Sequence, residues 1–549
     1  MTYEQKKIIW TQLLIIVSGC LLFLPGLGLV HLFDWDEINF AESAREMLIT
    51  HNFLDVQINF QTFWEKPPLF IWMQALSMHL FGVNEFAARF PNAIAGILTM
   101  LLLFNLGKHL KGYRFGLLWT LMYVCSLFPF FYFKSGIIDP WFNLFIFSGT
   151  YCFVLFTSPD NKLNPYWLVA LSALFLGLAI LTKGPVGLLI FLLTFGVYLM
   201  FHKFKLRYTW GQVVLFSVIL LIVGCFWFIL QIIHGNFTII QDFVIYQIRL
   251  FQTQDAGHGG FFFYHFVMIL IGVFPASILV LPVFRRSILK GESNTQEAHT
   301  FRWMMILFWV VLILFTIVRT KIVHYASMTY FPLTFMAAWY VDKVFDGKFK
   351  IYAWQKVLLL IFAICYGLAV AIIPYFDSFK LFIIPYCDEF TAGNLQATST
   401  WFGFEPLVGI GFVVTTVLFC VWVSSKPVRA FASLMLGSLF FVALTMVFVV
   451  PEVEKYTQIS FIEFLEERQN ETCYIYPLHK SYAHYFYAKR QPQNRCDDSA
   501  YLMFGELDKP CYFIARNTKQ EVTDFTLKVP DAQFLYAKNG FAFFVRHTK

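Results

Sequence analysis

Residues 212–233 read QVVLFSVILLIVGCFWFILQII. This stretch is apolar and uncharged, and a helix needs about 20 mostly apolar residues to cross the hydrocarbon core of a bilayer. Similar runs recur along the chain, separated by short polar segments. Across all 549 residues, 58% are hydrophobic and 14% are charged, whereas a soluble domain carries about 25% charged residues. We therefore predict an all-α polytopic membrane protein.

The apolar runs predict about 13 transmembrane helices. The predicted spans lie near residues 8–30, 86–107, 115–133, 141–157, 166–181, 186–202, 212–233, 264–284, 303–319, 325–341, 357–375, 406–423 and 430–450. The first run follows Lys6 and Lys7, and we expect it to stay as an anchor because it is longer than a typical signal-peptide core.

Most Lys and Arg residues of the short loops fall on one side of this arrangement. Positive loops stay in the cytoplasm, so we expect a cytoplasmic N-terminus and, after an odd number of spans, a periplasmic C-terminus in a bacterial inner membrane. The net charge of +7 then reports topology and does not indicate a nucleic-acid partner. The loops that carry this pattern contain Lys6, Lys7, Lys108, Lys111, Arg114, Lys203, Lys205, Arg207, Arg285, Arg286, Lys290, Arg302, Lys343, Lys348, Lys350, Lys426 and Arg429.

The sequence predicts two parts: a transmembrane domain over 1–450, with interfacial helices in the loop 31–85, and a small α/β domain over 451–549. Alternating apolar segments that begin at Cys473, Cys511 and Phe541 are typical of strands. A disulfide is expected among Cys473, Cys496 and Cys511 in an oxidising compartment, with the pairing open.

The first outer loop contains adjacent acids in the sequence Asp34-Trp-Asp36-Glu37. Carboxylates at a membrane face can act as a base, bind a metal or simply be solvated. A further acid, Asp139, precedes Pro140 at the outer end of another predicted span, where it can also serve only to start a helix.

Lysines occupy outer helix ends at two similar places. Lys66 precedes Pro67 and Pro68, and Lys183 precedes a Gly-Pro pair. A lysine at the positive end of a helix is unfavourable alone, whereas a phosphate would suit both the lysine and the helix N-terminus. The alternative is that Lys66 pairs with Glu65 or extends its amine to water.

Other outer loops add cations and a histidine. Arg249 lies in the loop after the seventh predicted span, where His258 lies between glycines, and Lys321 and Tyr325 lie at another outer helix end. Cations on the non-cytoplasmic side oppose the positive-inside rule, and ionisable groups in such places indicate a functional site. The set predicts an anionic, phosphorylated ligand associated with the membrane.

These motifs, taken in order, resemble the GT-C glycosyltransferases that use polyprenyl-phosphate sugars, above all the aminoarabinose (lipid A) transferases and the protein-mannosyltransferase-like family. The resemblance covers roughly residues 1–340. It implies an enzyme with about 13 spans and a periplasmic C-terminal domain. It also implies a polyprenyl-phosphate-linked sugar as donor, with a lipid, glycan or protein as acceptor.

The resemblance implies a role for each motif. Asp36, Glu37 and Asp139 become catalytic candidates. The candidates for binding the donor phosphate are Lys66, Lys183, Arg249, Lys321 and Tyr325. Glu65 and His258 correspond to residues that can hold a divalent metal ion such as zinc, magnesium or manganese.

The chemistry leaves two roles open for Asp36. A hydroxyl acceptor needs a carboxylate to remove its proton, whereas an ionised phosphate acceptor needs no base, so that Asp36 would position the acceptor. Two further functions are open: a protein O-mannosyltransferase, and, from another class, a lipid or sugar transporter or flippase. Transporters place ionisable residues near the bilayer midplane in repeated halves, whereas here the charges lie at outer helix ends.

Overall fold

The structure is a computed structural model. It describes residues 3–159, 161–205, 208–252, 259–285, 295–469 and 471–548. Most of these residues are helical, and short strands occur in the first outer loop and near the C-terminus.

The α-helices of the described residues follow one another with short connections. They are α1 Tyr3–Phe23, α2 Asp36–Thr50, α3 Leu69–Phe81, α4 Glu85–Lys111, α5 Tyr113–Val124, α6 Leu127–Tyr132, α7 Asp139–Phe156, α8 Pro165–Lys183, α9 Val186–Phe201, α10 Trp210–Gly224, α11 Phe226–Ile233, α12 Phe237–Gln252 and α13 Tyr264–Gly272. They continue as α14 Ala276–Val280, α15 Gln296–Ile317, α16 Tyr330–Phe345, α17 Ala353–Ile372, α18 Phe376–Ile383, α19 Glu389–Asn394, α20 Glu405–Trp422, α21 Pro427–Leu444, α22 Val450–Glu454, α23 Ile459–Glu466, α24 Ala483–Phe486, α25 Ser499–Phe504 and α26 Lys519–Lys528.

Many of these helices are long and apolar enough to cross a membrane. Within the described residues, seven pass by length and composition, or up to nine if each of two bent helix pairs counts as one span. A multi-pass membrane protein is therefore confirmed. The other predicted spans coincide with shorter or less apolar helices, α5, α7, α9 and α16, so the count of 13 stays a prediction. The first helix ends at Phe23, earlier than the predicted residue 30.

Two small sheets interrupt the helices. Strands β1 Gln57–Ile58 and β2 Gln61–Thr62 form an antiparallel hairpin. Near the C-terminus, β3 Tyr474–Pro477, β4 Cys511–Arg516, β5 Gln533–Lys538 and β6 Phe541–Arg546 form a four-stranded sheet of order β3-β4-β6-β5. Only β3 and β4 pair in parallel. The alternating segments predicted as strands thus form β3, β4 and β6. The cysteines at 473, 496 and 511 are free thiols.

The C-terminal sheet shares a hydrophobic core with the first outer loop. Ile38 and Met47 of α2 belong to the same buried cluster as Phe461 of α23 and Phe543 of β6. Helix α2, predicted to be interfacial, is consequently buried along most of its length, and its charged Glu42 and Arg45 form a buried ion pair at 2.6 Å. This packing places the C-terminal residues directly over the acids of the first loop.

Candidate active site

A cavity of about 410 Å³ lies where the first outer loop meets the ends of several helices. Its wall combines the loop before α2, the loop before α3, the start of α7, the end of α8, one face of α12, and residues 322–325 and 480–482. The lining side chains are Asp34, Trp35, Asp36, Asn39, Phe40, Phe63, Glu65, Lys66, Ile137, Ile138, Asp139, Lys183, Tyr246, Arg249, Ile322, His324, Tyr325, Lys480 and Tyr482.

Seven of the side chains selected from the sequence line this one cavity. They are Asp36, Glu65, Lys66, Asp139, Lys183, Arg249 and Tyr325. Their convergence from separate loops produces a site in which three cations and three carboxylates face a common space.

Asp139 and Lys183 form an ion pair in the wall of the cavity. Asp139 is the first residue of α7, and a proline follows it, which favours the start of a helix. Lys183 is the last residue of α8, and the next residue, Gly184, has a φ of 100°, which suits glycine. The Lys183 Nζ donates to Asp139 Oδ1 at 2.7 Å, and the two side chains are only 12% and 3% exposed. The other carboxylate oxygen, Asp139 Oδ2, has no hydrogen-bond partner among the described residues.

His324 lies between two of the carboxylates. Its Nε2 is 3.7 Å from Asp139 Oδ2 and 3.8 Å from Asp36 Oδ2. Burial lowers the pKa of His324, an effect that Asp139 and Asp36 oppose and that Lys183 and Lys66 reinforce. The imidazole is therefore neutral near pH 7.

Asp36 is the accessible carboxylate of this group. Its side chain is 51% exposed, whereas that of Asp139 is almost fully buried. Just before it, Trp35 adopts φ 78° and ψ −84°, a backbone conformation rare for a bulky residue. Such strain is held by the surrounding structure and concentrates at functional sites.

Two cations bracket one aromatic ring on the α12 side. Lys66 Nζ lies 5.0 Å from the centroid of the Tyr246 ring, and the Arg249 guanidinium lies 5.3 Å from it. Burial lowers the pKa of Lys66, and Glu65 opposes this shift. Helix α12 turns Phe243 and Tyr246 inward at helical spacing, which directs Arg249 towards the same end of the cavity. The pair can bind an anion.

Glu37 and Lys321 do not line the cavity, so their assignments as catalytic and phosphate-binding residues stay predictions that the geometry of the cavity does not support. Glu37 is 1% exposed and forms a bidentate ion pair with Arg89 at 2.7 and 3.0 Å. It also accepts from the backbone N–H groups of Phe33 and Gly136. Its role is therefore to anchor the loop that carries Asp36.

Lys321 stabilises a helix end instead of facing the site. Its Nζ donates to the carbonyl oxygens of Phe315, Thr316 and Val318 at 3.0, 2.7 and 2.7 Å. A lysine in this place satisfies the last carbonyls of α15, which have no partner within the helix.

The predicted metal site stays a prediction. Glu65 lines the cavity, whereas His258 lies outside the described residues. Among the residues that the structure describes, no group of three or more His, Cys, Asp or Glu side chains could hold a metal ion.

The cavity also contains residues that the sequence did not identify. His324 directly precedes Tyr325, but a single histidine at a helix end forms no pattern that marks it as a site residue. Lys480 and Tyr482 come from the C-terminal region, and no local pattern marks them because only tertiary packing brings them to the first loop.

Comparisons with known proteins agree with this arrangement. Residues 65–227 match the family model described as dolichyl-phosphate-mannose-protein mannosyltransferase. An undecaprenyl phosphate-alpha-4-amino-4-deoxy-L-arabinose arabinosyl transferase of Pectobacterium carotovorum is 26% identical over 80% of this chain and 76% of its own length. The corresponding Edwardsiella ictaluri protein is also 26% identical, over 56% of this chain and 55% of its own length.

A solved structure shows the same fold over almost the whole chain. The crystal structure of ArnT from Cupriavidus metallidurans bound to undecaprenyl phosphate superposes with a TM-score of 0.78 at 16% identity and covers 98% of each chain. The apo form of that protein gives a TM-score of 0.75.

The sequence relatives and the matching family model, together with the shared fold, identify a glycosyltransferase of the GT-C type. Within that class, the chain is ArnT-like: it is similar in sequence to aminoarabinose arabinosyl transferases and in fold to the solved structure of ArnT.

Proposed function

We propose that this protein transfers a monosaccharide from a polyprenyl-phosphate donor to an acceptor on the extracytoplasmic side of a bacterial inner membrane. The observation that carries this proposal is the single cavity in which Lys66, Lys183 and Arg249 face Asp36. The curated relatives, named as undecaprenyl phosphate arabinosyl transferases, and the neighbour solved with undecaprenyl phosphate support undecaprenyl phosphate as the lipid carrier.

In the proposed reaction, the bond between the anomeric carbon and the donor phosphate oxygen breaks. The electron pair leaves with the polyprenyl phosphate, and an acceptor oxygen forms the new bond to the anomeric carbon. Preorganised cations stabilise charge that grows on a leaving group. Lys66 and Arg249, which flank Tyr246, supply that stabilisation.

Asp36 is the residue that meets the acceptor. When the acceptor is a hydroxyl, the exposed carboxylate of Asp36 takes its proton, as a general base must lie within reach of the proton that it removes. When the acceptor is an ionised phosphate, no proton is removed and Asp36 orients the acceptor instead. Asp139 is paired with Lys183 and acts by fixing the position of that lysine.

The acceptor we favour is a lipid A-like lipid or another glycan or lipid, as the resemblance to the aminoarabinose transferases implies. A protein acceptor is the second candidate, because the matching family model describes protein mannosyltransferases. We further propose about 13 spans, a cytoplasmic N-terminus and an extracytoplasmic 451–549 region. The proposed divalent metal at Glu65 predicts that a chelator reduces transfer and that Mg²⁺, Mn²⁺ or Zn²⁺ restores it.

The proposal is tested by reconstituting the full chain in lipid vesicles with radiolabelled undecaprenyl-phosphate aminoarabinose and extracted lipid A. We expect label in lipid A with the wild type. Removing one preorganised donor to a developing oxyanion costs about 10²–10³ in rate, so we expect Lys66→Ala to lose at least about a hundredfold. Asp36→Asn should lose a similar factor if the acceptor is a hydroxyl.

Matched controls are Lys528→Ala and Asp524→Ala, which remove exposed charges on α26. Both should transfer at the wild-type rate. Mass spectrometry of lipids and proteins from cells with and without the gene identifies the sugar and the acceptor. Full activity of the Lys66 and Asp36 variants would refute the site assignment, and lipid movement without transfer would favour a flippase.

A further inference from the structure

A second cavity, of about 360 Å³, lies against the C-terminal sheet. It falls within the range of about 300–1,000 Å³ common for ligand pockets. Lys480 and Tyr482 line both this cavity and the first one. The two cavities therefore meet at the segment that follows β3.

The boundary between the cavities is built by contacts between the C-terminal segment and the first outer loop. The Tyr482 backbone N–H donates to Asp34 Oδ1 at 3.0 Å, and the Tyr482 ring packs edge-on against Trp35 with centroids 5.8 Å apart. Lys480 Nζ lies 4.0 Å from the centroid of the Trp35 ring. Since Trp35 directly precedes Asp36, this boundary adjoins the residue that meets the acceptor.

The second cavity carries positive charge. Lys480 is exposed, and no carboxylate lies within ion-pair distance of it among the described residues. The one acid that lines this cavity, Asp497, pairs with Arg495 and accepts from Asn59 at 2.6 Å. Arg490 adds a second cation to the wall.

Two histidines, His479 and His484, also line the second cavity, and neither of them changes its positive charge. Burial lowers the pKa of His479 to about 4, and burial together with nearby Arg490 also lowers the pKa of His484 well below its ordinary value. Both imidazoles are thus neutral at pH 7. Tyr476 and Tyr485 provide aromatic surface beside the cations, and aromatic side chains with a few fixed polar groups are typical of small-molecule sites.

We propose that this second cavity binds the acceptor through a phosphorylated saccharide group, and that Lys480 contacts its phosphate. A compact ammonium on a flexible stem suits a phosphate. The tyrosine surface suits the sugar ring. This inference rests on the proposed function, because it names the acceptor site of that reaction, and it assigns acceptor choice to the C-terminal region.

The first experiment measures binding without catalysis. The full chain in lipid nanodiscs is treated with an amine-acetylating reagent, with N-acetylglucosamine 1-phosphate as probe, and lysine acetylation is quantified by mass spectrometry. We expect the probe to reduce acetylation of Lys480 at least about threefold. Neutral N-acetylglucosamine should give no such protection, and the exposed Lys528 serves as the internal control.

Adding undecaprenyl phosphate to this experiment distinguishes binding of the probe in the second cavity from binding in the first. When it occupies the donor side, protection of Lys480 by the probe should persist. Loss of protection would mean that the probe had bound beside Lys66, which would overturn the proposal, as would equal protection by the neutral sugar. Persistent protection together with absence of sugar transfer by the wild type would refute the proposed function and leave the binding site standing.

The second experiment compares Lys480→Ala with Lys480→Arg in the transfer assay. A lysine that binds the acceptor phosphate predicts a rise of about tenfold or more in the acceptor KM of Lys480→Ala, with the rate recovered at high acceptor concentration. Lys480→Arg should return the KM to within about threefold of the wild type. A fall in kcat with an unchanged acceptor KM would contradict the proposal and indicate that Lys480 only holds Trp35 in place. Strong labelling of a protein instead of a phosphorylated saccharide would also overturn it.

Discussion

The Asp139–Lys183 ion pair offers a prediction that separates stability from catalysis. At 2.7 Å between Nζ and Oδ1, the Coulomb attraction is about 6 kcal/mol at an effective dielectric constant of about 20, before the cost of removing both charges from water. Removing one partner of a buried pair costs about 3–5 kcal/mol, because the other charge stays buried and unpaired. We expect this cost for Lys183→Met and for Asp139→Asn.

The double variant Asp139→Asn/Lys183→Met contains no unpaired buried charge. Its stability loss should therefore be smaller than the sum of the two single losses by about 3 kcal/mol, a coupling of the size found for residues in direct contact. For a chain of 549 residues, 3–5 kcal/mol corresponds to a fall of about 3 to 4 °C in the unfolding midpoint. Both quantities are measured by thermal unfolding of the four proteins in one detergent.

Sugar transfer should behave differently. The double variant recovers stability, but it lacks Lys183, one of the cations that line the site with Lys66 and Arg249, so its rate should stay at least about a hundredfold below the wild type. Strictly additive losses of stability would refute the description of this contact as a coupled buried pair. Recovery of transfer in the double variant would refute a role for Lys183 in the reaction.

Three further predictions concern the residues that support the site. Burial, together with neighbouring Glu42, raises the pKa of Glu46 to about 9, so the folded state holds a proton that the unfolded state loses and stability falls as pH rises from about 4.5 to 9. Glu46→Gln should flatten that dependence in urea titrations at several pH values, and an unchanged slope would contradict it. The lowered pKa of His324 gives the opposite pH dependence, so stability should fall as pH drops below about 6.5. His324→Gln should reduce that fall, and identical profiles of stability against acidic pH for the wild type and the variant would contradict this. Glu37→Gln leaves Arg89 without its charged partner and should cost about 3–5 kcal/mol, measured by thermal unfolding; a stable but inactive variant would instead restore Glu37 as a catalytic candidate.

The sequence was most informative where the signal is local. Apolar runs mark the spans because every membrane-crossing helix must satisfy its own backbone hydrogen bonds and present apolar side chains to lipid. Charged residues at outer helix ends are informative because ionisable groups are rare in membrane-spanning segments and indicate functional sites there. Asp36, Lys66, Asp139 and Lys183 indeed line one cavity. Glu37 and Lys321 carry the same signal, yet they serve the structure, since sequence position alone does not reveal whether a charge faces a cavity or a backbone carbonyl.

Particular contacts needed the tertiary structure. The position of His324 between two carboxylates and the contact of Lys480 with Trp35 join segments that are far apart in the chain, and no periodic pattern encodes such a meeting. The sequence by itself determined the membrane class, the strands of the C-terminal region and most cations and acids of the site. Only the folded chain decided which of them share one space and that the C-terminal region closes over it, because these outcomes depend on packing between distant segments and not on local preference.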